Sequence, residues 1–127
     1  MRNILIVGSG PVILGVAQTI RDLKSFGELF FLPGSHDTKK IGTNIKIKHF
    51  GRRDKDDCKE IGEDCIKLKI GIVLFGPENE SDHSLKDYFK DKPEFQNIKV
   101  IDPIIPSLTP VDPTWYTAKY MDAILSL

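Results

Sequence analysis

Asn3-Ile4-Leu5-Ile6-Val7-Gly8-Ser9-Gly10-Pro11-Val12 is the stretch whose reading decides the fold. Ile4 to Val7 form a short unbroken apolar run rich in β-branched side chains, the composition of a strand covered on both faces in a parallel sheet. Gly8 and Gly10 then omit Cβ atoms where the chain has to turn sharply. Pro11 suits the first turn of a helix, because its missing N–H would have no intrahelical partner there. Such a helix directs its free N–H groups and the positive end of its dipole at the turn, a seat for phosphate or carboxylate. The dinucleotide fingerprint needs a glycine where Ile13 stands, so it is not met. Without a ligand, the same residues make an ordinary strand-to-helix corner.

Working outward, the spacing predicts a helix from Pro11 to about Ser25, with Val12, Val16, Ile20 and Leu23 on its apolar face and Gly27 as its stop. Glu28 to Leu32 reads as a second buried strand, broken by Pro33-Gly34 and followed by a polar loop with Ser35, His36, Asp37 and Thr38. Ile45 and Ile47 alternate with Lys46 and Lys48, as in a short strand near an edge. Cys58, Ile61, Cys65 and Leu68 fall at helical intervals through Asp54 to Lys69. Ile72 to Phe75 is the next buried strand, running straight into Gly76-Pro77-Glu78-Asn79-Glu80. Ser81 is a candidate cap for a helix over Leu85 to Lys90, and Ile98 to Ile101 is a last strand. Prolines from Pro103 to Pro113 hold the following chain extended, and Tyr116, Tyr120 and Ile124 mark a helical stripe between Thr114 and Leu127. By itself, that stripe calls for a neighbour to cover it.

This order predicts an α/β fold: a single Rossmann-like, three-layer domain over residues 1–108, with a parallel sheet and helices on both faces, then a proline-rich linker and helix over 109–127. At 127 residues, there is room for one core and little more. Eighteen basic residues balance eighteen acidic ones, so no long-range field recruits nucleic acid or an anionic membrane. No run approaches the roughly 18 apolar residues of a membrane span, and no cleavage site of a secretory leader is evident, so a cytoplasmic protein is expected. Cys58 and Cys65 lack the spacing of a metal or redox motif and are expected to be ordinary buried thiols.

Ligands of such sheets bind outside the carboxyl ends of the strands, where strand order reverses. Gly8 to Val12, Pro33 to Thr38 and Gly76 to Glu80 should converge there. An acid to hold the ribose of a nicotinamide dinucleotide is missing, since Phe31-Leu32-Pro33 stands at the end of the second strand. Paired acids for a phospho-acceptor are missing too, since Gly8 and Ser9 end the first. What remains is a small binding site: backbone donors in the stretch from Gly10 to Val12, hydroxyls at Ser9, Ser35 and Thr38, and the carboxylates of Glu78 and Glu80. A plain surface acid near a helix start would also explain Glu78. His36 and His83 lack an obvious partner at a fixed offset and read as solvated, and no catalytic triad or zinc set is evident.

The glycine turn, Leu32-Pro33-Gly34-Ser35-His36-Asp37-Thr38 and Val73-Leu74-Phe75-Gly76-Pro77-Glu78, in this order, resemble the N-terminal, pre-ATP-grasp domain of phosphoribosylamine-glycine ligase, an enzyme of purine synthesis. The first turn, Ile4 to Gly15, also resembles that of the carbamoyl-phosphate synthetase large subunit. The resemblance implies a domain that binds a sugar phosphate through Gly8, Ser9, Gly10, Pro11, Val12, Pro33, Gly34, Ser35, Thr38, Gly76, Pro77 and Glu78, with Glu78 on the ribose. It implies no catalytic residue and no cofactor on this chain. ATP and Mg2+ would belong to the ATP-grasp domains of a full-length ligase, which the chain lacks, so activity in isolation is not expected. Two departures stand out: Gly10-Pro11-Val12-Ile13-Leu14 lacks the charged and imidazole side chains of the ligase turn, and Asp37 replaces a glycine. The alternatives are an interaction module that keeps the fold and binds another protein chain, or a stand-alone nucleotide-binding domain.

Overall fold

In a computed structural model describing residues 2–46, 55–79, 84–106 and 112–127, the elements follow in the order β1 (Asn3–Gly8), α1 (Pro11–Leu23), β2 (Leu29–Pro33), β3 (Thr43–Asn44), α2 (Lys55–Lys67), β4 (Ile70–Phe75), α3 (Ser84–Phe89), β5 (Lys99–Ile101) and α4 (Pro113–Leu125). The strands make one sheet in the order β3-β2-β1-β4-β5, and every pairing is parallel. This is the α/β, Rossmann-like architecture that the apolar runs predict.

Side-chain alternation along β1 divides the core in two. Ile4 and Ile6 join Ile72 and Leu74 of β4 beneath α1 and α4. Leu5 and Val7 join Val73 and Phe75 on the opposite face, beneath α2 and α3. A strand so placed has no polar face to show, which is why Ile4 to Val7 are all fully buried. Cys58 and Cys65 are buried inside the second core. Gly62, an unfavourable residue inside α2, lets the ring of Phe95 approach closely: a Cβ there would lie 2.8 Å from Phe95 Cζ.

Several local expectations are corrected. α1 ends at Leu23, where Lys24 takes the left-handed conformation and its N–H bonds to Arg21 O. Gly27 is instead the point where the chain crosses the start of β1, its N–H 2.6 Å from Arg2 O, with no space for a Cβ beside Asn3. The buried face of α1 is Ile13, Val16, Ala17 and Ile20, whereas Leu23 is exposed. β3 lies at Thr43–Asn44, before the alternating run, and Ile45 adds one more bond to Phe31 O. Ile47, Lys48, His49, Glu80, Ser81 and His83 lie outside the described residues. The Tyr116, Tyr120 and Ile124 stripe finds its cover within the chain: Tyr120 and Ile124 are buried in the first core, and Tyr116 packs against it. α4 is thus an integral part of the domain rather than an appendage with a free apolar face.

Candidate functional site at the carboxyl edge

Strand order reverses between β1 and β4, and the loops leaving their carboxyl ends meet there. Gly76 N–H donates to Val7 O at 2.9 Å, and the Asn79 side-chain amide donates to the same carbonyl at 3.0 Å. These bonds hold a short 3-10 turn, Pro77–Asn79, beside the glycine turn after β1. Glu78 is thereby brought across the sheet, and its Oε1 accepts the Ser9 backbone N–H at 3.2 Å.

Two glycines make this reach possible. A Cβ on Gly76 would lie 2.7 Å from Glu78 Oε2 and 2.7 Å from Ile13 Cδ1. On Gly8, which has φ 153°, it would meet Glu78 Oε1 and lie 2.8 Å from Ile13 Cγ1. The missing side chains leave a slot for the carboxylate, with Ile13 beneath it. α1 opens next to this slot, capped by Gly10 with no side chain on its free N–H groups. The result is a cavity of about 320 Å³ walled by Ser9, Gly10, Pro11, Val12, Pro77 and Glu78. Donor N–H groups line one side and a carboxylate the other, and among the described residues no lysine, arginine or histidine lines it.

The loop after β2 takes a different part. Gly34 N–H donates to Gly8 O at 3.2 Å, so the loop adjoins the glycine turn. Its polar groups, however, are directed at one another. The buried Thr38 hydroxyl accepts Ser35 N–H at 2.7 Å and faces Asn44 Oδ1 at 2.6 Å, while Asn44 Nδ2 donates to Ser35 O at 2.8 Å. Gly34, at φ 76°, is required where this knot closes. The Leu32–Pro33 peptide bond that enters it is cis. Pro33, Gly34, Ser35 and Thr38 therefore brace the site without walling its cavity. His36 is exposed, and Asp37 is exposed beside Lys40 at 3.6 Å.

Two supporting residues escape a reading of the sequence. Asn79 pins the 3-10 turn, although nothing distinguishes it from the neighbouring polar residues. Tyr120, legible only as one member of an apolar stripe, has a fully buried side chain whose hydroxyl donates to Phe75 O at 2.6 Å and accepts Ile104 N–H at 3.1 Å. It thereby anchors the end of β4 immediately before Gly76. Burial pushes the Tyr120 phenol well above its ordinary range; the Ile104 bond opposes this and the nearby Glu78 charge adds to it.

No protein-family model matches the sequence, and no curated protein matches it with significance. Among the described residues, no cluster of three or more His, Cys, Asp or Glu could hold a metal ion, and no helix is long and apolar enough to cross a membrane. Among the described residues, the carboxyl edge offers hydrogen-bond donors and one acceptor acid, Glu78.

Proposed function

We propose that this chain is a substrate-binding domain for a small sugar phosphate, as its resemblance to the N-terminal domain of phosphoribosylamine-glycine ligase implies. The observation that carries the reading is the Glu78 carboxylate, held 3.2 Å from Ser9 N–H beside the open start of α1 at the point where strand order reverses. A carboxylate there accepts hydrogen bonds from vicinal sugar hydroxyls. The free N–H groups of the first turn of α1 take the phosphate. Acyl-phosphate chemistry would fall to ATP-grasp domains, in cis or in trans, which bring ATP and Mg2+; the present chain supplies only the sugar-phosphate seat of a cytoplasmic purine-synthesis ligase.

A thermal-shift titration with ribose 5-phosphate tests this, because a ligand that binds only the folded form raises the melting temperature. The expected result is a rise in the native chain that Glu78→Ala abolishes. Among the described residues no cationic side chain lines the cavity, which favours a second reading, an interaction module that has kept the fold and lost the ligand. Silence of the native chain toward ribose 5-phosphate and its 1-amino analogue would favour that module and refute the sugar-phosphate site.

A further inference from the structure

A second groove, of about 620 Å³, lies at the opposite, amino edge of the sheet, between the end of α1 and the segment that leads into β3. Arg21 and Lys24 stand on one wall, at the last turn and cap of α1. Lys39 and Lys40, from the 3-10 turn Thr38–Lys40, stand on the other. Against these four cations, the described residues lining the groove carry one carboxylate, Glu28, in a protein whose total charge is zero. The carbonyl end of the α1 dipole accounts for Arg21 and Lys24. It does not account for Lys39 and Lys40, which belong to a separate element across the groove. The only ion pair these four make among the described residues is Lys40 with Asp37, at 3.6 Å between side chains that are both more than 60% exposed. Such a pair is weak and easily exchanged for a stronger anion.

We infer that this groove binds a linear oligophosphate, the chemistry shared by inorganic tripolyphosphate and the nucleoside triphosphates. A chain of two or three phosphates carries enough charge to engage cations from both elements at once. Arg21 contributes the planar fork that grips phosphate oxygens in pairs, and the lysines contribute point charges. Gly27, Glu28, Gly42 and Thr43 line the groove between the two walls. The site is independent of the sugar-phosphate seat, which lies at the other end of the strands.

Calorimetric titration of the full chain with inorganic tripolyphosphate at low salt tests the inference. One-site binding is expected, weakening as salt is raised because the cations are exposed. Arg21→Ala with Lys39→Ala should weaken it at least tenfold with an unchanged urea unfolding midpoint. Lys90→Ala with Lys99→Ala, which removes two cations from a separate groove beside β5, should leave it unchanged. ATP should bind at least as tightly as tripolyphosphate. Amide shifts should fall at Gly27, Glu28 and Gly42. No binding by the native chain, equal weakening in both double variants, or shifts centred on Ser9 to Val12 would each overturn the inference, and the last would return the phosphate to the carboxyl edge.

Discussion

Replacing Tyr120 by Phe removes one oxygen from the centre of the molecule and tests how the site is held. The ring is fully buried in the core beneath α1 and α4, so Phe fills the same space and opens almost no cavity. What disappears is a pair of hydrogen bonds, 2.6 Å to Phe75 O and 3.1 Å from Ile104 N–H, which tie α4, the end of β4 and the segment after β5 together. At about 1 kcal/mol net for each bond, the variant should lose about 2 kcal/mol. For a domain of this size, that corresponds to roughly 6–10 °C in melting temperature. Urea unfolding followed by circular dichroism measures it, with the midpoint falling and the slope unchanged because the same surface is exposed. Phe75 immediately precedes Gly76-Pro77-Glu78, so the ribose 5-phosphate shift should shrink as well. A loss below about 0.5 kcal/mol would refute the view that this hydroxyl anchors the end of β4.

Other substitutions probe the remaining parts. Gly8→Ala should reduce sugar-phosphate affinity more than Gly10→Ala, because a Cβ at Gly8 displaces the Glu78 carboxylate and crowds Ile13, whereas at Gly10 it meets nothing within 4 Å; equal losses in a binding titration would count against the slot. Thr38→Val should cost about 1–3 kcal/mol in urea unfolding by leaving Ser35 N–H and Asn44 without the hydroxyl between them. Burial, with the neighbouring Asp64 charge adding, pushes the Cys65 thiol from 9.0 up to about 12. The unfolded chain therefore loses that proton first, so stability should fall as pH rises from 9 toward 12, by about 1.4 kcal/mol per pH unit for this group. Cys65→Ala should flatten that decline, and an unchanged pH profile would show that the thiol is not its source. Cys58 and Cys65, at 2% and 1% exposure, should resist thiol reagents in the native state and react fully in denaturant.

Much of the architecture is legible in short-range patterns. The apolar runs Ile4 to Val7 and Ile72 to Phe75 announce strands buried on both faces, because no polar side chain interrupts them. Pro11 marks the opening of α1 to the residue. Boundaries were harder where a local signal competed with tertiary demand. Gly27 reads as a helix stop, yet its lack of a Cβ serves a close crossing with Arg2, and the stop falls on a lysine. Thr38 reads as a ligand hydroxyl, yet its oxygen is buried among Ser35 and Asn44. A hydroxyl in a polar loop looks the same in sequence whether it faces a ligand or its own backbone.

By itself, the sequence determined that this is an α/β chain with glycine turns after two of its central strands, because strand and turn preferences arise from sterics and burial over a few neighbouring residues. Only the tertiary structure decided which turns share a cavity, since Glu78 meets Ser9 from 69 positions away and Tyr120 meets Phe75 from 45. Those meetings depend on strand order and on the register of β1 against β4. Register is a property of the whole packed sheet, which no local stretch encodes.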